Sequence, residues 1–364
     1  MYKLKKELNQ QQHPYQLKNK DILLTQLKQV KHTKRTTIMK KIIFSLLFTT
    51  SLIVTGQEKD DKGTFTLSGT VDIYHSSNLK KKSLGSIGIL SDVPANGFGL
   101  GMVNTIFSYE KGKAGIVADL AYGPRANAAN AYNGAINQLY AYYKTSERVT
   151  FTLGQFNTFY GYEVISPSGN FNYSVSYLFN AGPFSHTGLK VDYSASEDLS
   201  FMLAITNPHG ITAGSNPTND YQLGFQTGYK GQLFNLIYGA DGFGFKDVLY
   251  LDYTGGLSLS DSFFLGINAA YSNSSDADAG YQGLALYLQN AFSKTLSIGL
   301  RPEIYSTTSS TGNSNQSAYT LTVNKALTSS LNIIAELRHD TSKDATFFGK
   351  DNISGATLAA VYTF

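Results

Sequence analysis

The chain lacks cysteine and tryptophan altogether, has only 8 prolines, and carries charge on just 15% of its 364 residues. Without cysteine there can be no disulfide, thiolate metal centre, iron–sulfur cluster or cysteine nucleophile. A charged fraction this far below the roughly 25% of an ordinary soluble domain leaves too few charges to coat a water-facing surface. The charge is also unevenly placed. Residues 1–41 hold 11 of the 30 Lys and Arg, whereas from Glu58 onward 19 basic residues face 24 acidic ones, a net of −5. The overall +4 belongs to the N-terminal stretch and gives no reason to expect a nucleic-acid partner. What the chain has instead is 25 Tyr, 22 Phe and 34 Gly.

The N-terminal stretch divides in two. Met39-Lys40-Lys41, the uncharged Ile42–Val54, and the small residues Thr55-Gly56 before Gln57 have the order of a secretory signal peptide, residues 39–56. Thirteen residues, Ile42 to Val54, are too few for a spanning helix, which needs about 20. Residues 1–38, rich in Lys and Gln, then read as an upstream extension foreign to the native protein, with Met39 as the start and 57–364 as the mature chain.

Beyond Gly63 no 3.6-residue apolar period persists, and period two recurs instead. Phe65, Leu67, Gly69, Val71 and Ile73 alternate with polar neighbours, as do Leu199-Phe201-Leu203-Ile205 and Leu331-Ile333-Ala335-Leu337. About 16 such segments follow one another, joined alternately by short polar turns and mostly longer loops. These features predict an all-β chain: a transmembrane antiparallel β-barrel with short periplasmic turns and long extracellular loops. Phe364, with Tyr362, Ala360 and Leu358 on one face, resembles the C-terminal sorting signal of outer-membrane barrels. A secreted soluble β-sandwich or barrel would alternate too, but its outward face should be charged.

The segment Gly154-Gln155-Phe156-Asn157-Thr158-Phe159-Tyr160-Gly161-Tyr162-Glu163, followed by Asn170, Ser174, Ser176, Pro183 and Thr187-Gly188-Leu189, resembles the OmpL-like β-barrel porins of Gram-negative outer membranes. That resemblance implies a single-chain pore for small hydrophilic solutes; it transfers no residue roles. The same segment contains the longest connection, Tyr160 to Ser185, which is weakly apolar. In strand number the chain is similar to trimeric general porins, whose third long loop narrows the channel. We therefore expect residues 161–184 to fold into the lumen as a constriction, with Glu163 facing the lumen.

Sixteen strands enclose a water-filled channel rather than a lumen packed with side chains. Parity along the strands then nominates the pore-lining charges: Asp72, Asp119, Lys144, Lys190, Asp192, Asp252, Arg301, Glu303, Glu336 and Arg338, with Glu163 from the loop. The ten wall charges are 4 positive and 6 negative, which predicts a weak cation preference. Lys190 with Asp192, Arg301 with Glu303 and Glu336 with Arg338 stand two apart on one face, so each could simply be an ion pair. Enzymatic signals are thin. His75, His186, His209 and His339 are scattered, Arg338-His339-Asp340 is the nearest approach to a dyad, and neither a Gly-x-Ser-x-Gly elbow nor a His-Glu-x-x-His helix occurs. Asp276-Ala277-Asp278 is weak as a cation site. The expectation is a porin without cofactor or metal, surrounded by outer-membrane lipid, passing small hydrophilic solutes and assembling as a homotrimer. The alternative is a non-conducting barrel that displays adhesin or receptor loops.

Overall fold

The computed structural model describes residues 62–79, 96–130, 134–209, 216–242, 244–310, 312–344, 347 and 350–364. The expected upstream extension 1–38, the expected signal peptide 39–56 and residues 80–95 of the first long loop lie outside the described residues. Sixteen strands run from β1 (Thr64–Asn78) and β2 (Gly97–Lys111) to β15 (Leu331–Ser342) and β16 (Asn352–Thr363). Each pairs antiparallel with its neighbours in sequence, and β1 pairs with β16 to close the barrel. At the seam, Gly69 N donates to Phe364 O at 3.0 Å and Phe364 N to Gly69 O at 3.1 Å. Closure leaves no strand edge with unpaired backbone, the condition a sheet must meet inside a bilayer.

The intervening strands are β3 (Ala114–Tyr122), β4 (Ile136–Lys144), β5 (Val149–Asn157), β6 (Ser185–Ser194), β7 (Leu199–Thr206), β8 (Gln222–Tyr229) and β9 (Gln232–Gly239). They continue as β10 (Val248–Ser258), β11 (Phe263–Ser274), β12 (Ala279–Ser293), β13 (Leu296–Thr308) and β14 (Ser314–Ala326). One end of the barrel carries short turns, for instance 112–113, 230–231 and 294–295. Lys230 (φ 50°) and Gly231 (φ 79°) both sit at positive φ, the mark of the type I′ turn that suits a two-residue hairpin. The opposite end carries the long connections. A six-residue helix, α1 (Pro124–Ala129), lies in the second of these. A 3₁₀ turn (Pro167–Gly169) and a short helix, α2 (Tyr177–Ala181), lie in the third, residues 158–184.

The period-two pattern becomes two surfaces. Leu203 is 62% exposed while its neighbours Met202 and Ala204 are buried, and the same alternation runs through β10 and β15. Large apolar side chains therefore cover the outside of the barrel: Leu67, Ile116, Leu153, Leu300, Leu337 and Leu358 among them. Exposed Tyr109, Tyr143, Tyr193 and Tyr229 stand at the ends of β2, β4, β6 and β8 next to the short turns, with Tyr122 and Tyr238 at the other end. Rings at both margins of an apolar belt are what the two bilayer interfaces favour. Replacing Leu203 by Arg should cost about 2–4 kcal/mol in phospholipid vesicles, read from urea unfolding, because the guanidinium would stand mid-strand on the lipid side.

Candidate functional site

The third long connection lies inside the barrel, and its hydrogen bonds trace its course. Leaving β5, it follows the wall: Gln226 of β8 donates to Phe159 O (3.2 Å), and Gly161 N donates to Asp252 of β10 (3.1 Å). It then crosses the lumen, where Ser166 Oγ meets Thr70 Oγ1 of β1 at 3.1 Å, Asn324 Nδ2 of β14 donates to Phe171 O, and Asn172 Nδ2 donates to Thr322 Oγ1. The amides of Tyr173 and Ser174 both donate to the Glu336 carboxylate of β15, at 2.7 and 2.9 Å. Tyr177 N donates to Glu303 (2.8 Å) and Tyr177 Oη to Asp340 (2.8 Å) before the chain turns back to β6.

Why the segment holds this shape follows from its polar side chains. Asn170 bridges both backbone groups of Val164, accepting from its N–H at 2.9 Å and donating to its carbonyl at 2.7 Å. Ser176 caps α2 by accepting from Phe179 N, while its own N–H and hydroxyl donate to Glu163. Aromatic and aliphatic side chains of the loop stand over wall glycines. A Cβ on Gly224, Gly266, Gly283 or Gly299 would overlap Phe159, Tyr162, Leu178 or Phe171 respectively. Four strands, β8, β11, β12 and β13, thus each provide a shallow socket. On the other side Ile165, Val175 and Phe179 bury against Met102, Ala121 and Ala126 of α1.

At the centre is a buried charge network. Arg301 is fully buried and sends Nη1 to Glu163 Oε1 (2.6 Å) and to Ser174 O (2.7 Å). Its Nε lies 3.7 Å from Glu303 Oε1, an ion pair rather than a hydrogen bond. Arg338 contacts the same Glu303 oxygen at 3.4 Å, pairs with Asp340 at 2.7 Å and donates to Val175 O at 2.6 Å. The sequence suggested Glu336 as the mate of Arg338; instead Glu336 is occupied by loop amides and Thr322, and Arg338 turns to Asp340 and Glu303. Asp72 receives Met102 N (2.9 Å) and Tyr173 Oη (2.6 Å), at a register shift between β1 and β2 where Gly101 leaves room for its carboxylate. Asp252 receives Asn235, Asn268 and Gly161 N, and Asp119 receives Asn104, Asn137 and Gln138.

The nominated charges therefore fall into two sets. Asp72, Asp119, Glu163, Asp252, Arg301, Glu303, Glu336 and Arg338 face inward but are buried, because the loop and neighbouring wall side chains cover them. Lys144, Lys190 and Asp192 remain partly open: Lys190 pairs with Asp192 at 2.7 Å, and Lys144 pairs at 2.8 Å with Glu110, a residue the parity argument passed over. Arg125 of α1 was missed as well, though it is fully buried and donates to Ile165 O and Tyr173 O. Only four arginines follow residue 57, and three of them are these buried anchors; that scarcity is the signal the sequence held. Alternation separates the suspected dyad: Arg338 and Asp340 pair inside, while exposed His339 bonds Ser354 on the outer face. In the fourth connection, burial pushes His209 down to about 4, held neutral against Gln222 and Tyr250. Asp276 accepts Ser274 Oγ and Lys246 N, and those bonds hold its carboxyl below the usual range.

A family model described as "Putative beta-barrel porin-2, OmpL-like" matches residues 64–364. No curated protein matches the chain. Among solved structures, the anion-selective porin from Comamonas acidovorans superposes with a TM-score of 0.58 at 11% identity, over 83% of this chain and 100% of that one. The outer-membrane channel DcaP of Acinetobacter baumannii gives 0.54 at 12% identity, over 85% and 99%. OmpT of Vibrio cholerae in its trimer form gives 0.52 at 12% identity, over 84% and 100%. At these identities the likeness is one of fold.

Replacing Arg301 by Ala would strand Glu163 and Glu303 in a buried site, at a cost of about 3–5 kcal/mol. The loop has no Lys or Arg but many aromatics, so chymotrypsin is the suitable probe. The wild-type loop should resist cleavage between residues 159 and 184, and the variant should be cut there.

Proposed function

This chain belongs to the OmpL-like beta-barrel porin-2 family of Gram-negative outer membranes, and from that premise we propose that it carries small hydrophilic solutes by passive diffusion, through the part of the lumen that its third loop leaves free beside β4–β7. The observation that carries this reading is the distribution of loop contacts. Hydrogen bonds tie the loop to β1, β8, β10 and β12–β15, and its first residue Thr158 to His186 of β6, whereas among the described residues none joins it to β4 or β7. Along that side the lumen charges stay partly exposed: 24% for the Lys190 side chain and 42% for Asp192, 44% for Lys144 and 42% for Glu110.

Passive diffusion needs no covalent step, and the buried carboxylates are engaged as acceptors for loop amides and arginines. In this proposal they anchor a constriction rather than select ions. The open charges are two positive and two negative, so intrinsic ion selectivity should be weak. The long connections then face the cell exterior and the short turns the periplasm, and the working unit is a homotrimer.

Two measurements in planar bilayers test the reading. Deleting residues 163–180 should raise single-channel conductance several-fold if the loop constricts the pore; unchanged conductance refutes that role. Lys190→Glu should shift the reversal potential in a salt gradient toward cations without altering chymotrypsin resistance. A folded barrel that never conducts would overturn the pore and turn attention to the loops as a binding surface.

A further inference from the structure

Beyond the passage of small solutes in general, the lumen holds a feature that specifies a class. At the long-loop end, Tyr250 of β10, Tyr281 of β12, Tyr305 of β13 and Tyr177 of α2 form an unbroken row of rings. Successive centroids lie 6.5, 5.9 and 5.5 Å apart, and the last two rings are nearly parallel, at 16°. Tyr250 is buried, backed by Tyr160 and Val248; Tyr281, Tyr305 and Tyr177 stay partly exposed. Parity puts all three strand tyrosines on the inner face, so the exposure of Tyr281 and Tyr305 is toward the lumen.

The polar atoms around the row are distinctive. Tyr177 Oη is committed to Asp340 and Tyr281 Oη to Tyr160, which fixes both rings. The Tyr305 hydroxyl has no protein partner among the described residues. Directly opposite Tyr305 in the ladder is Gln316, whose Nε2 donates to Ser314 while its Oε1 is buried and unpartnered. Charge is absent from this surface in any free form, since Asp340 is paired with Arg338 and Glu303 lies between two arginines. The site thus offers flat apolar ring surface, edged by the Tyr305 hydroxyl, with no net charge to attract an ion. Its complement is an uncharged solute with an apolar C–H face and a hydroxyl-bearing rim.

We propose that Tyr281, Tyr305 and Tyr177 form a binding track for neutral saccharides at the long-loop mouth. This rests on the pore reading and adds to it the solute class. Aromatic surface holds the sugar face, while the Tyr305 hydroxyl meets its hydroxyls. Tyr177 belongs to the third loop, so the track begins where the constriction begins.

The test uses protein purified from outer membranes in planar bilayers, with maltohexaose or cellohexaose added to the long-loop side. Ion current should fall saturably with sugar. Tyr305→Ala and Tyr281→Ala should each raise the half-blocking concentration about three- to tenfold, the range expected for one lost ring contact, while Tyr305→Phe, which keeps the ring and loses only the hydroxyl contact, should raise it less than Tyr305→Ala does. A conducting pore that neither sugar blocks, or that benzoate blocks and the sugars do not, overturns the proposal. So does equal block in the alanine variants. A protein that does not conduct would defeat the pore reading alone. Calorimetric titration of the same sugars into the detergent-solubilised protein would then decide the track: binding lost in Tyr305→Ala upholds it, and no binding by wild type overturns it.

Discussion

A loop that enters a barrel must find partners for its backbone there, and that requirement organises the inside of this protein. A stretch of chain laid across a lumen has no strand beside it to complete its ladder. Each buried N–H or C=O left unpaired would cost about 1–3 kcal/mol. Here the wall and α1 supply the missing partners. Glu336 takes two consecutive amides, Glu303 and Asp252 one each, and Arg301, Arg338, Arg125 and Asn324 donate to loop carbonyls. The wall's charges are the loop's hydrogen-bond partners.

Acceptors and donors of this kind bring their own difficulty, since a carboxylate or guanidinium taken out of water is costly unless neutralised in place. The solution is sharing. Glu303 lies between Arg301 and Arg338, Arg301 also holds Glu163, and Arg338 also holds Asp340. Glu163 is itself a loop residue that caps the approach to α2 through Ser176, so the ion network and the loop's local fold are one structure. Charge at this level of the lumen works as mechanical anchorage. The ion pairs left partly exposed, Lys144–Glu110 and Lys190–Asp192, are weak as stabilising contacts.

The fold was legible because period two is a local property. Leu203 outside and Met202 and Ala204 inside can be read from three letters, and sixteen repetitions with alternating connection lengths leave one architecture. Parity assigns Asp72, Asp252 and Glu336 to the inner side of the sheet, and the structure buries all three. It could not tell what lies against them there. Whether Glu336 meets Arg338 or the amides of Tyr173 and Ser174 depends on a segment some 160 residues earlier in the chain, and no local pattern encodes that distance. Arg125 escaped for a related reason: it sits in a connection, where alternation gives no facing at all. The tyrosine row is the most distant from the sequence, because its members come from three strands and a loop and become neighbours only through barrel register.

The wall glycines show how sequence and loop are reconciled. Glycine lowers strand stability, yet Gly224, Gly266, Gly283 and Gly299 stand where a side chain would collide with the loop. At Gly283 and Gly299 a Cβ would also meet the backbone oxygens of Ile304 and Leu288 at 2.6 Å, so packing within the wall asks for glycine there as well. The loop side chains above the four positions gain close contact with backbone in return. The glycines and the buried arginines therefore answer one constraint from opposite directions, the first by making room for the loop's side chains and the second by binding its backbone. Neither set draws on β4 to β7, the side of the wall beside which passage is proposed.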